Sequence, residues 1–343
     1  MQVPQLHMSI NDTQKLQSHY LNSLKKSKPV LQKPPLLVKS PSPPPLTAHF
    51  TNLTSEQIQS VEKFVFFVGY GRSGHSVVAS LMDAHPNMII ADEYYLFDKL
   101  AGKKTHKQLS TKSDLFNELY LNSYTCAKGG RRNASSHQTK SYHLGVGGMW
   151  QGRFSQLKVI GEKTGGSTAV MYHDKKTTFK AAYKVLGNIA KVPLYALHVV
   201  RNPYDMIATV ALYQASGHPN DYKVPASVEK KFDDPKQLNR AVDIILKKAE
   251  AVSQLKTDSE LGLRLLEIHL EDLIATPRQE ILSICKFLEV ECSEEYLRAC
   301  EAKISPSVSR SRNTVVWHSD MRDRVVAATK KYDFFSRYMF DGS

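Results

Sequence analysis

One loop of this sequence has the residue types and spacing of an anion-binding turn. It reads Gly69-Tyr-Gly-Arg-Ser-Gly-His-Ser76, which matches the P-loop pattern G-x-x-x-x-G-K-[S/T] except that His75 takes the position of the lysine. Such a loop between a strand and a helix aims backbone N–H groups and the positive helix end at one point. A histidine that is neutral at pH 7 offsets phosphate charge poorly. The loop therefore predicts a phosphate site whose fixed cation is Arg72.

A second candidate anchor follows the apolar run 194–200. Arg201 comes directly after this run, and Thr209 lies eight positions later in the next predicted helix. The two could hold one anion from opposite sides, because ligands of doubly wound sheets bind at the carboxyl ends of the strands. The alternative is structural: an arginine that caps helix carbonyls and a threonine bonded to its own backbone.

Two further polar segments follow short predicted strands. Asp92-Glu93 could supply a carboxylate that accepts a proton from an attacking hydroxyl, with Asp92 as a possible substitute for Glu93. Lys163 could offset the negative charge that develops during a group transfer. A solvated acidic turn and a solvated lysine are the corresponding structural alternatives.

The elements that must position these residues alternate between strands and helices. Short apolar runs bounded by glycine or polar residues indicate buried strands, and apolar residues at helical spacing indicate helices. The predicted strands cover 64–68, 88–91, 158–160, 194–200 and 264–269, and the predicted helices cover 76–84, 176–190, 204–214, 238–255 and 277–288. This alternation predicts an α/β fold with a mainly parallel central sheet flanked by helices on both faces.

The flanking and intervening segments have a different composition. Eight of the 16 prolines lie in residues 1–60, together with six Lys/Arg and two Asp/Glu, so we expect a disordered Pro/Lys-rich tail there. One domain is expected over 61–343. The segment 129–148, rich in Gly, Ser, His and Arg, is expected to be a surface insertion.

In this order, the motifs resemble those of the PAPS-dependent sulfotransferases, where PAPS is 3′-phosphoadenosine 5′-phosphosulfate. The segment 71–76 is similar to the 5′-phosphosulfate loop P-[K/R]-S-G-T-[T/S] and departs from it at two positions, and Arg201-Asn-Pro with Thr209 resembles the 3′-phosphate motif. The resemblance implies a P-loop-containing fold. It also implies a set of PAPS-binding residues: Gly71, Arg72, Ser73, Gly74, His75, Ser76, Arg201 and Thr209.

Three other segments extend the resemblance. Asp83-Ala-His-Pro86 followed by Asp92-Glu93 resembles the D-A-H-P…E-E stretch of tyrosylprotein sulfotransferases, which implies that Glu93 is the general base. Glu162-Lys163-Thr164 is similar to a segment of carbohydrate sulfotransferases and implies that Lys163 stabilises charge. The late basic segment 309–317 resembles the one near the 3′-phosphate and adds Arg310 and Arg312.

The resemblance implies direct in-line transfer of the sulfuryl group to a hydroxyl or amine acceptor, with Glu93, Lys163 and Arg72 as catalytic residues. It implies no metal, because fixed cations take its place. Two alternatives stay open. A P-loop kinase or NTPase would need a lysine at position 75, and an inactive sulfotransferase-like binding module would follow if the changes at Gly71 and His75 abolish turnover.

Composition limits partners and compartment. The net charge of +13 favours anionic partners, but the basic residues near 128–132 lack the interleaved aromatic residues of nucleic-acid-binding segments. We expect an acceptor that is a small molecule, glycan or peptide, no nucleic acid, no membrane span and no assigned oligomeric state. The four cysteines show no C-x-x-C spacing, so neither a metal site nor a disulfide is expected and a cytoplasmic location is favoured. A Golgi location is the alternative if an N-terminal anchor is missing, and sequons at Asn11, Asn52 and Asn133 would then matter.

Overall fold

Five parallel strands form the centre of the protein in a computed structural model that describes residues 42–46, 50–102, 109–131, 143–215 and 231–341. The strands are β1 (Lys63–Gly69), β2 (Met88–Asp92), β3 (Val159–Lys163), β4 (Leu194–Val200) and β5 (Arg264–His269). Their order across the sheet is β2-β3-β1-β4-β5, and every pair is parallel. The predicted α/β class and its parallel sheet are confirmed.

Helices cover both faces of this sheet. In chain order, the described α-helices are α1 (Ser55–Gln59), α2 (His75–Asp83), α3 (Leu96–Leu100), α4 (Lys112–Lys128), α5 (Gly165–Asp174), α6 (Lys176–Ala190), α7 (Pro203–Ala215), α8 (Pro235–Thr257), α9 (Leu270–Ala275), α10 (Pro277–Leu288), α11 (Glu294–Lys303) and α12 (Ser319–Lys331). Alternate residues of β1 enter separate cores, with Phe64 and Phe66 on one face and Val65 and Phe67 on the other. A strand covered on both faces reads as a continuous apolar run, and β1 does.

The strand order brings the polar segments to one edge of the sheet. The central strand β1 lies between β3 and β4, so the loop that follows it ends near the residues that follow both neighbours. Asp92 and Lys163 are paired residues at the ends of β2 and β3. This arrangement is what a shared site at the carboxyl ends of the strands requires.

Strand β3 is longer than the sequence predicts and includes Glu162 and Lys163. A glycine followed by two charged residues suggested that the strand ended at residue 160. Gly161 instead allows close strand packing, since a Cβ there would lie 1.9 Å from the Val65 carbonyl oxygen. The charged side chains have partners within the fold, which makes their burial tolerable.

Ordered structure begins upstream of residue 61. Helix α1 starts with a capping box, in which Thr54 accepts from the Gln57 backbone and Gln57 accepts from the Thr54 backbone. Leu53 and Ile58 are buried in the core. We propose that the folded domain begins near residue 50. Of the tail predicted over residues 1–60, residues 1–41 and 47–49 lie outside the described residues.

Arg131, at the start of segment 129–148, departs from the surface insertion expected there. Its guanidinium is buried, donates to the Ile90 carbonyl at 2.8 Å and pairs with Asp83 at 3.2 Å. Asp83 also accepts hydrogen bonds from the Ile90 and Gly152 N–H groups. The aspartate of the Asp-Ala-His-Pro segment is therefore a buried structural centre. Residues 132–142 lie outside the described residues.

The expectation of no disulfide is wrong. Cys285, in α10, is bonded to Cys292, with a Cα–Cα distance of 6.2 Å, inside the usual range. The seven-residue separation across a helix end gave no recognisable pairing pattern. His85 approaches both sulfurs, but its ring nitrogens bond the Glu291 carbonyl and the Asn87 N–H, so these atoms are already engaged.

Within the described residues, none of the helices combines the length and apolar composition needed to cross a bilayer.

Candidate active site

The loop after β1 presents backbone donors that have no protein partner. Gly69 and Gly74 have φ values of 135° and 101°, a region that glycine enters without steric cost. Gly74 is the N-cap of α2 and provides no side-chain cap. Among the described residues, the N–H groups of Gly71, His75 and Ser76 donate to no acceptor. The loop thus has the open donors of an anion cradle at a helix N-terminus.

The His75 side chain lies beneath this loop. Burial lowers its pKa to about 3, and the charge of Lys163 acts in the same direction. The neutral ring directs Nε2 at the Val68 carbonyl, 3.2 Å away, so its one proton belongs on that nitrogen. The ring proton of His75 is thus used within the protein. A contact through the backbone N–H of His75 remains a prediction.

A buried network supports the loop from the next two strands. The Tyr70 hydroxyl lies 3.2 Å from His198 Nε2, and His198 Nδ1 lies 3.0 Å from Glu267. Ser73 Oγ donates to the Tyr70 carbonyl, so the buried Ser73 side chain fixes the turn. His198 thus has partners on both ring nitrogens, as expected for a core histidine.

Arg201 connects the loop to the second anchor. Its Nη1 donates to the Arg72 carbonyl at 3.1 Å, and its Nη2 donates to the Ser309 carbonyl at 2.9 Å. Burial lowers the pKa of Arg201, and its Nε is buried with no hydrogen-bond partner in the described part of the chain. The two predicted phosphate anchors therefore meet at one place, and one donor of Arg201 remains open there.

Arg72 lies at the exposed rim of this place. It has a φ of 69°, and its guanidinium carbon lies 4.2 Å from the centre of the Tyr213 ring. A guanidinium over an aromatic face is a stabilising cation–π contact. The side chain is thus held at the surface while its carbonyl anchors Arg201.

Two of the three remaining predicted 3′-phosphate residues make side-chain contacts within the protein. Thr209 donates to the Asp205 carbonyl at 2.7 Å, the local bond that was the structural alternative. Arg312 is buried and pairs with Asp205 at 2.6 Å, whereas Arg310 is exposed. Roles for these three residues in phosphate binding stay predictions.

The predicted base and lysine form an ion cluster. Lys163 Nζ lies 2.5 Å from Glu93 Oε1 and 2.7 Å from Asp92 Oδ1. Burial acts to lower the pKa of Lys163, but the two carboxylates outweigh it and the net shift is upward. The Glu93 side chain is 24% exposed and that of Asp92 only 7%. Glu93 is therefore the carboxylate that a substrate can reach.

A buried acid and an unpredicted lysine complete the surroundings. Burial raises the pKa of Glu162 to about 8, which favours the neutral form, and the Thr164 hydroxyl donates to the Glu162 carboxyl group.

Lys248, in α8, reaches the loop: a Cβ on Gly166 would lie 3.2 Å from the Lys248 Nζ and 3.5 Å from Gly71 N. One signal in the sequence was available, because Lys248 occupies an inward position between Ile245 and Val252 of an otherwise apolar helix face.

Comparison with protein families identifies the class of protein. A family model described as a sulfotransferase domain matches residues 62–340. The chain therefore belongs to the sulfotransferase domain family, as the motifs predicted. A search of curated proteins finds no match.

Solved structures with a similar fold include several sulfotransferases. The sulfotransferase domain from the curacin biosynthetic pathway is 14% identical with a TM-score of 0.48, and the match covers 81% of this chain and 99% of that one. The domain from a Synechococcus olefin synthase is 13% identical with a TM-score of 0.44, covering 79% and 94%. A mouse sulfotransferase in a complex with PAP is 11% identical with a TM-score of 0.38, covering 80% and 87%.

Proposed function

We propose that this protein transfers the sulfuryl group of PAPS to a hydroxyl or amine acceptor. The main support for this proposal is that the loop with its open N–H groups lies next to Arg201, whose Nη1 donates to the Arg72 carbonyl. Family membership supports the reaction class. A doubly phosphorylated nucleotide needs two anion sites on one edge, and the loop and the end of β4 provide them.

In this proposal, the loop N–H groups and the Ser76 hydroxyl hold the 5′-phosphosulfate. Arg201 holds the 3′-phosphate through its open Nε, with Thr209, Arg310 and Arg312 as further predicted ligands. Thr209 would have to redirect the proton that it now donates to Asp205. Arg312 would act through its field, since its guanidinium already pairs with Asp205.

The transfer is a single displacement at sulfur. The acceptor oxygen forms a bond to sulfur while the bond from sulfur to the bridging phosphate oxygen breaks, and that electron pair stays on the phosphate. Glu93 takes the acceptor proton. Lys163 holds the Glu93 carboxylate in place and, with Arg72, offsets negative charge. No step of this scheme needs a metal.

The acceptor stays open between a small molecule, a glycan and a peptide. The segments most suited to select it, 102–113 and 129–148, include residues 103–108 and 132–142, which lie outside the described residues. Screening purified protein against acceptors of these three classes would identify the hydroxyl or amine that is used.

The disulfide bears on the compartment. Disulfides persist in oxidising compartments and are rare in the cytosol. With Cys285 bonded to Cys292, we propose an oxidising compartment in place of the cytoplasmic location that the cysteine pattern favoured. The protein would be isolated from its natural cells, alkylated before reduction and analysed by mass spectrometry. We expect two cysteines, Cys285 and Cys292, to escape alkylation; four alkylated cysteines would contradict the proposal.

Calorimetry and radiolabelled transfer test the reaction. We expect adenosine 3′,5′-bisphosphate to bind without magnesium, whereas a P-loop kinase or NTPase would need the metal. We expect Glu93→Ala to lower turnover about 10²- to 10⁴-fold with unchanged nucleotide affinity. Asp92→Asn is the control, because Asp92 contacts the same lysine but is shielded from substrate. Binding without turnover in the wild type would support the inactive module.

A further inference from the structure

Lys248 lies next to the loop that follows β1. It belongs to the inward face of α8, beside the buried Ile245 and Ala249. A Cβ on Gly166 would lie 3.2 Å from its Nζ and 3.5 Å from the Gly71 N–H nitrogen. The ammonium and the open loop amide therefore border the same small space, which exists because residue 166 has no side chain.

The Lys248 ammonium has no hydrogen-bonded or ion-pair partner among the described residues. Burial lowers its pKa, and only the charge of Glu93 opposes that effect. The neighbouring cations differ, since Lys163 pairs with two carboxylates and Arg312 with Asp205. A half-buried ammonium without a partner is destabilising, so a ligand is the natural source of its missing contact.

The loop has no cation at the lysine position of the P-loop pattern. P-loop proteins place a lysine at the position of His75 to neutralise phosphate. Here that residue is neutral and its ring is directed at the Val68 carbonyl. Arg72 is held at the rim against Tyr213. The backbone cradle is therefore present, while the position next to the anion is reached by a lysine from a different helix.

We infer that Lys248 is the cation that contacts the 5′-phosphosulfate of the donor, in the role that a loop lysine has in P-loop proteins. This inference rests on the proposed function and names a further binding residue for it. A side chain at position 166 would crowd this space, because its Cβ would lie 3.2 Å from the Lys248 ammonium, which would have to shift. The contact is to the 5′ group alone, since Arg201 and the 3′ anchor lie after a different strand.

The test compares nucleotides with and without a 5′ group. Lys248→Met should weaken calorimetric binding of adenosine 3′,5′-bisphosphate about 10- to 100-fold, the effect of one hydrogen bond to a charged group, and leave adenosine 3′-monophosphate unchanged. Lys248→Arg should restore part of the loss. Lys247→Met is the matched control, because the adjacent Lys247 is exposed and pairs with Asp174.

A merely structural lysine would give a different result. Its loss would lower the melting temperature and weaken both nucleotides equally, whereas we expect the unliganded Lys248→Met protein to melt at or above the wild-type temperature. Equal bisphosphate affinity in Lys248→Met and wild type would overturn the inference and leave the proposed function intact. If the wild type binds no bisphosphate at all, the proposed function fails and this inference fails with it.

Discussion

Glu162 allows a direct test of the electrostatics around the site. The residue is fully buried in β3, Thr164 donates to one carboxyl oxygen, and the other oxygen has no partner among the described residues. Burial raises its pKa from 4.5 to about 8. The folded protein therefore keeps a proton that the unfolded chain releases above about pH 4.5. The neutral form leaves Lys163 to the carboxylates of Asp92 and Glu93.

The sign of the pH effect follows from this difference. Between pH 4.5 and about 8 the native state binds one more proton than the unfolded state, so the free energy of unfolding falls as pH rises. The contribution is complete below pH 4.5 and is lost above the folded pKa. At about 1.36 kcal/mol per pH unit, the full loss is up to about 5 kcal/mol.

Glu162→Gln removes this proton exchange and keeps a neutral side chain of the same shape. We expect denaturant unfolding at pH 5 to give similar free energies for both proteins. By pH 9 the variant should exceed the wild type by several kcal/mol. Glu295→Gln is the control, because Glu295 is exposed on α11. Parallel curves for wild type and Glu162→Gln would show that the carboxyl is ionised in the fold and would refute the reasoning.

Two further changes test the anchors and the covalent link. Arg201→Lys should weaken bisphosphate binding at least tenfold by calorimetry, because an ammonium cannot reach the Arg72 and Ser309 carbonyls and keep a further donor for phosphate; unchanged affinity would remove Arg201 from the site. Cys285→Ser should lower the free energy of unfolding by about 2 kcal/mol in non-reducing buffer, and wild type in reducing buffer should match it. A variant as stable as the oxidised wild type would contradict a stabilising link to Cys292.

The sheet was predictable because its signals are local. The bounds 194–200 and 264–269 of two strands and 176–190 and 277–288 of two helices agree with the structure. Apolar runs and prolines mark these elements within the segment itself. The end of β3 was missed because Lys163 finds its carboxylate partners at and just after the end of β2, about 70 positions earlier in the chain.

The sequence predicted which residues anchor the site, but it did not predict the contacts that their side chains make. The sequence brought Arg72 and Arg201 to one edge, and the structure joins them by a hydrogen bond. It also named His75 as a PAPS-binding residue, but it could not show that the His75 ring bonds the Val68 carbonyl beneath the loop. Lys248 was missed because it comes from a helix without any motif. Long-range packing decides which hydrogen-bond donors remain without a protein partner, and the spacing of residues along the chain does not predict that packing.

The site has two sides, which differ in whether their cations are paired with carboxylates. On the side of β2 and β3, Lys163 is fully engaged with Asp92 and Glu93, so its charge is used to fix a carboxylate. On the side of the loop and β4, the open donors are the loop N–H groups, Arg201 Nε and Lys248. In the proposed function, the anionic PAPS would be stabilised by the second set of groups and repelled by the exposed carboxylate of Glu93. For the proposed reaction, we therefore expect the acceptor to approach from the Glu93 side.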